Sequence, residues 1–170
     1  MKLPHSISQF NIYNDNERCV GISGEITLPN FEAMSETISG AGIAGEFEVT
    51  ADGQYGAMQI DIPFHRLHDE NFSLLTPGRK TIVLRASAKS FDSATGDSIE
   101  EGLKIKITGS PKNLELGKIA SGKPMESKNT LEILAIKIEL GDKVLIELDK
   151  LNFVCIINGV DVLAKVKANI

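Results

Sequence analysis

At 170 residues, 42% hydrophobic and with a net charge of −5, the chain has the size of one domain with a sizeable core, and the reading is a single domain over residues 1–170. An acidic chain with 5% aromatics and no Trp lacks the basic, stacking groove that grips nucleic acid, and no stretch approaches the roughly 18 apolar residues of a membrane helix. The β-branched load of 20 Ile, 8 Val and 8 Thr favours antiparallel β structure.

In chain order, Met1-Lys2-Leu3-Pro4-His5-Ser6-Ile7 has no secretory apolar run, so a soluble product made in the cytosol is expected. Phe10 and Ile12, the polar Asn14–Glu17, and then Val20, Ile22, Ile26 and Leu28 predict a first hairpin that ends at Pro29. From Glu25 to Asp61 there are seven acids and no Lys or Arg, and residues 1–60 carry a net charge of −6 against +1 for the remainder. One uniformly acidic surface follows.

Gly40-Ala41-Gly42-Ile43-Ala44-Gly45 matches G-x-G-x-x-G, the dinucleotide fingerprint, which works only where a buried strand gives way to a helix N-terminus. Here Ala33–Ile38 and Glu46–Thr50 both alternate with period two, so the glycines read as the turn of a hairpin pairing about 31–38 with 46–51, and no cofactor is expected. A strand with Met58, Ile60 and Ile62 on one face follows, and all these strands are expected in one sheet system.

Phe64, Leu67, Leu74 and Leu75 have helical spacing up to Pro77-Gly78, which predicts one short helix. Within it, His65 and His68 could share a face as metal ligands. No third ligand accompanies them, and Asp69 and Glu70 suit the first turn of a helix, so no metal is expected. A second long hairpin covers about 80–108 with its turn near Ala94–Asp97, and Lys118–Asn129 reads as a loop. The apolar parity then switches near 133–134, predicting a β-bulge. Gly141-Asp142 fits a type II′ turn, and Phe153–Ile157 leads through Asn158-Gly159 into a short, potentially helical tail. Cys19 and Cys155 form no C-x-x-C pair and read as buried free thiols. No nucleophile elbow, Walker loop or Cys/His pair is present, and Glu100-Glu101 lies near a turn, so the chain is not expected to be an enzyme.

Leu28-Pro29, Ser39–Gly45, Glu126-Ser127-Lys128, then Glu147, Asp149 and Asn152, Asn158-Gly159-Val160-Asp161 and the terminal Asn169-Ile170 together resemble the major tail tube protein family of contractile-tailed phages and R-type phage-tail bacteriocins. The resemblance runs from about Phe10 to Ile170; the tail, with only Lys165 and Lys167, is less basic than in many relatives. It implies a mainly β fold: an antiparallel β-sandwich or barrel with one short α-helix and two long hairpins. Those hairpins line a tube built from stacked hexameric rings, which conducts DNA at ejection or leaks ions. The implied partners are further copies of the chain, the tail sheath, baseplate and tail terminator proteins, with DNA only as passing cargo. On this footing Glu46, Glu48 and Thr50, with Glu32 and Glu36 on the partner strand, are expected to face the lumen, while Phe47 and Val49 face the subunit core. Arg85, Lys89, Lys104 and Lys106 on the second hairpin suggest a mixed lining there. Gly40, Ala41, Gly42, Ile43, Ala44 and Gly45, the Lys118–Asn129 loop, and Asn158, Gly159, Val160 and Asp161 are the expected inter-subunit contacts. The competing reading is a monomeric β-sandwich ligand-binding module, for which there is little aromatic material.

Overall fold

A computed structural model describes all residues, Met1–Ile170. The elements run β1 (Lys2–Asn14), β2 (Glu17–Arg18), β3 (Ala33–Ser39), β4 (Glu46–Tyr55), β5 (Gln59–Phe64), α1 (Asp69–Leu75), β6 (Lys80–Asp92), β7 (Ser98–Glu115), β8 (Ser127–Leu140), β9 (Lys143–Asp149), β10 (Val154–Ile157), β11 (Val160–Asp161) and α2 (Ala164–Lys167). The class is the mainly β, antiparallel one expected, with a second short helix at the tail.

A nine-stranded sheet has the order β11-β10-β9-β8-β7-β6-β1-β2, with β5 also paired to β8. Strand β8 explains the branching. One of its edges follows β7 throughout, whereas the other meets β5 over Ser127–Glu132 and β9 over Ala135–Leu140. The division falls where Thr108 pairs with Ala135 and Gly109 with Ile133, so Leu134 is the extra residue of the expected bulge. A bulge bends its strand and raises the local twist. Here it directs the two halves of β8 to different neighbours.

The core sits under this branch. Ile60, Ile62, Phe64, Leu74, Ile82, Ile107, Leu131, Ile133 and Cys155 are essentially without solvent exposure, and both cysteines are free and buried. Burial pushes the Cys19 thiol up to about 12, helped by the Glu70 carboxylate beside it. Helix α1 is fastened by a buried amide pair. Asn71 Nδ2 donates to Asn129 Oδ1 at 2.8 Å, Asn129 Nδ2 donates to the Asn71 carbonyl at 2.9 Å, and Asn71 Oδ1 accepts the His68 N–H at 3.0 Å.

Four local expectations need correction. The second strand of the first hairpin lasts only two residues. Beyond the Cys19 N–H bond to the Ile12 carbonyl, the chain turns away and runs beside β5, through bridges Ile22 to Phe64 and Thr27 to Asp61. The alternation there is real, since Ile22 and Ile26 pack on the core, but its partner is not β1. Helix α1 starts at Asp69 rather than near Phe64, because Phe64 belongs to β5 and the His65 N–H and carbonyl bond to Gly21 and Met125. The loop predicted to reach Asn129 ends before Ser127, where strand β8 begins with Ser127 and Asn129 buried. Finally, the glycine hairpin is a sheet of its own, β3 with β4, not part of one continuous system.

Candidate functional site: an uncovered β-ribbon

Strands β3 and β4 form a two-stranded ribbon turning at Gly40–Gly45. Gly42 and Gly45 sit at φ +89° and +113°, a region that side chains rarely adopt, and a Cβ on either would meet nothing within 4 Å. The glycines serve backbone conformation, not space. No helix follows them, so no N-terminus is presented to a phosphate.

The register sorts the side chains. Ser35 opposes Thr50, Thr37 opposes Glu48 and Ser39 opposes Glu46, while Glu36 opposes Val49 and Ile38 opposes Phe47. Opposed residues share a face. One face is therefore polar and acidic (Ser35, Thr37, Ser39, Glu46, Glu48, Thr50), with Ser35 Oγ donating to Glu48 at 3.4 Å. The other holds Met34, Ile38, Phe47 and Val49 around Glu36.

This arrangement keeps Glu46, Glu48 and Thr50 together but corrects two expectations. Glu36 lies on the opposite face from them, because it pairs with Val49. Glu32 precedes β3, where its carbonyl accepts the Gly56 N–H at 3.0 Å, so it stands at the ribbon's base. Phe47 and Val49 do not enter the subunit core: they are 51% and 43% exposed. The alternation marked an apolar face correctly, but nothing in the same chain covers it. Only the base is anchored. There β4 bulges between its pairings at Thr50 and Tyr55, and Gly53, at φ +71°, lies where an added Cβ would come within 2.8 Å of Leu163. Tyr55 packs edge-on against Phe31 at 5.5 Å between ring centres.

The second hairpin, β6 with β7, carries β1 along its other side. Its outward rows mix signs: Lys89 opposes Glu100, and Arg85 opposes Lys104 while lying 4.9 Å above the Tyr13 ring. Hydrogen bonds from Ser87 and Ser8 hold the Glu100 carboxyl below the usual range. At the other expected contact, Asn158 and Gly159 at φ 50° and 80° make a tight turn between β10 and β11. Val160 is exposed, whereas Asp161 is engaged within the chain by the Leu163 N–H at 3.0 Å and Lys167 Nζ at 3.2 Å. Asp149 and Asn152, part of the resemblance, form a closed turn: Asp149 accepts the Leu151 and Asn152 N–H groups and the Asn152 amide. Across the chain no three His, Cys, Asp or Glu side chains gather at one point, and no helix is long and apolar enough to cross a membrane.

The chain itself covers neither the apolar face nor the edges of this ribbon, and the comparison with known sequences says what kind of protein carries it. The family model described as phage tail tube protein FII matches residues 4–170. The chain belongs to that family. It is similar to the tail tube protein of Escherichia phage P2, 23% identical over 172 residues that span 100% of this chain and 99% of the relative. It is also 22% identical to the major tail tube protein of Serratia phage KSP20, over 91% of this chain and 88% of that one. A tail tube chain is a structural component of the virion tail. What the sequence does not reveal is that Met34, Ile38, Phe47 and Val49 all stay exposed. Their signal is the period-two pattern itself, which for Phe47 and Val49 points to a core and carries no sign that the hairpin projects.

Proposed function

We propose that this chain is the non-enzymatic inner tube subunit of a contractile phage tail or phage-tail-like particle, closing into hexameric rings that stack into a hollow conduit. The observation that carries this reading is the β3–β4 ribbon, whose apolar face and unpaired edges are a liability in a monomer and an interface in a ring. Ring closure joins the ribbon and the β6–β7 hairpin of successive copies around the lumen, with Glu46, Glu48 and Thr50 turned inward and the Phe47 face turned into the tube wall. A duplex beside that wall lies within about one Debye length, ~8 Å at physiological salt, so like charge opposes adhesion of passing DNA. Lys89 and Arg85 make the lining of the second hairpin mixed. The Gly40–Gly45 tip and the Asn158–Asp161 turn are contacts between subunits or rings, and sheath, baseplate and terminator proteins are the outer partners.

Negative-stain microscopy of the concentrated chain tests the reading. Tubes or rings are expected; featureless monomers would favour an isolated ligand-binding module. Ala41→Glu or Ala44→Glu at the ribbon tip is expected to abolish tubes while leaving the circular dichroism spectrum and melting of the monomer unchanged.

A further inference from the structure

Two cross-strand pairs on the nine-stranded sheet break a rule that the rest of the chain keeps. Where charged residues oppose one another elsewhere, their signs differ: Lys2 with Asp92, Lys89 with Glu100, Lys104 with Glu139, Lys128 with Glu115, and Lys137 with Glu147. Arg85, however, opposes Lys104, and Lys106 opposes Lys137. Opposed side chains stand about 4.5–5.5 Å apart at Cβ, and like charges there destabilise a sheet. With 23 acids to 18 bases, composition does not force cations together. We infer that these four cations form a site for the phosphate backbone of duplex DNA. This rests on the conduit reading above and names the part of the lining that touches the cargo.

All four share the face turned away from the core, because Ile82, Leu84, Ile105, Ile107 and Ile136 take the buried parity of the same strands. Their charge is only partly neutralised. Glu139 lies 3.2 Å from Lys137 Nζ and 3.8 Å from Lys104 Nζ. Neither Arg85 nor Lys106 joins an ion pair, and the Arg85 guanidinium is held instead over Tyr13, 4.9 Å from the ring centre. Glu147 closes the row of Lys106 and Lys137 on the β9 side. At the other end of that row Arg18 opposes Tyr13, while Glu17, opposite Asn14, has the other parity.

Around Arg85 and Lys106 the same face of β1, β6 and β7 carries Asn11, Tyr13, Thr81, Ser87 and Thr108 and no acid. Cations, hydroxyls and side-chain amides are the groups that bind phosphate oxygens. The next acid along the hairpin, Glu100, is opposed by Lys89 and already accepts hydrogen bonds from Ser8 and Ser87. A weak site suits a conduit. The net charge of −5 keeps the overall affinity low, and contacts with exposed Arg85, Lys104 and Lys106 are screened beyond about 8 Å at physiological salt. The Glu46 and Glu48 face repels the same duplex that this field attracts, so passing DNA is drawn to the sheet side of the lining without being arrested there.

Fluorescence anisotropy of a short labelled duplex, titrated at low salt with the unassembled full chain, tests the site. Affinity is expected to fall with salt at a log–log slope of about −3 to −4, since each phosphate contact contributes about −0.9. The double variant Arg85→Glu/Lys106→Glu turns both like-charge pairs into opposite ones. It should weaken duplex binding roughly tenfold or more and raise the melting temperature by about 1–3 °C. Lys123→Glu/Lys165→Glu makes the same change in net charge at exposed positions outside the field, and should leave binding within about twofold of the unmodified chain. An equal loss in both double variants, no binding by the unmodified chain, or tighter binding of a polyglutamate peptide than of the duplex would each overturn the DNA site. Normal tubes under the microscope alongside such a result would leave the tube reading intact; duplex binding by a chain that never forms tubes would overturn the tube reading alone.

Discussion

The branch of β8 and the β3–β4 ribbon are built from the same alternating pattern and end in opposite conditions. In the first, Ile60, Ile62, Leu131 and Ile133 are sealed by strands and a helix of their own chain; in the second, Ile38, Phe47 and Val49 stay in solvent. Only 23 of 170 residues are buried, so much of this chain's apolar surface awaits a neighbour. The difference teaches that period two reports a two-faced strand and says nothing about which molecule supplies the cover.

The comparison can be broken most severely in the core. Ile107→Ala removes a fully buried side chain beneath the sheet and should cost about 2–5 kcal/mol in urea unfolding. Phe47→Ser on the ribbon should change monomer stability by no more than about 0.5 kcal/mol, as for an ordinary surface site, yet eliminate tubes under the microscope. If Phe47→Ser unfolds the monomer as Ile107→Ala does, the ribbon is part of the core after all. Next in size, Asn129→Ala strands the Asn71 amide and should cost about 1–3 kcal/mol by the same assay. At the ribbon's anchor, Gly53→Ala forces a positive φ and a contact with Leu163, and should cost more than about 1 kcal/mol. Alanine at Gly42 would suffer only the backbone strain, so the pair separates anchoring from turning.

The smallest effect is on pH dependence. Burial alone would raise the Asp149 carboxyl, but the Asn152 amide and the N–H groups of Asn152 and Leu151 outweigh it and hold the group below its ordinary 3.8. Because the folded value is the lower one, its stabilisation is present above 3.8 and is lost as pH falls through the folded value. Asp149→Asn should therefore flatten the acid limb of melting temperature against pH and leave the shape of the profile above pH 6 unchanged, with differential scanning fluorimetry as the check.

Much of the fold was legible because its signals are local. The bulge near Leu134, the turns at Gly141-Asp142 and Asn158-Gly159, and both long hairpins follow from parity and turn residues read a few positions at a time. Gly141 at φ 58° with no positive φ at Asp142 fits the type II′ turn expected there. Where two segments competed for one partner, local reading failed. Ile22 and Ile26 were assigned to β1 but lie beside β5, and Phe64 was drawn into a helix that begins only at Asp69. Of the expected lining, Glu46, Glu48 and Thr50 share a face as parity requires. Glu36 fell on the other because cross-strand register depends on how many residues the Gly40–Gly45 turn consumes.

By itself the sequence determined an acidic, antiparallel β chain whose glycine string closes a hairpin and whose spaced motifs match a tail tube family, since composition, parity and turn chemistry act over short distances. Only the tertiary structure decided that the hairpin stands apart from the nine-stranded sheet, that its apolar face is bare, and that β1 keeps an unpaired edge. Those facts depend on which strands reach one another across the whole chain, and on partners that a single copy does not contain.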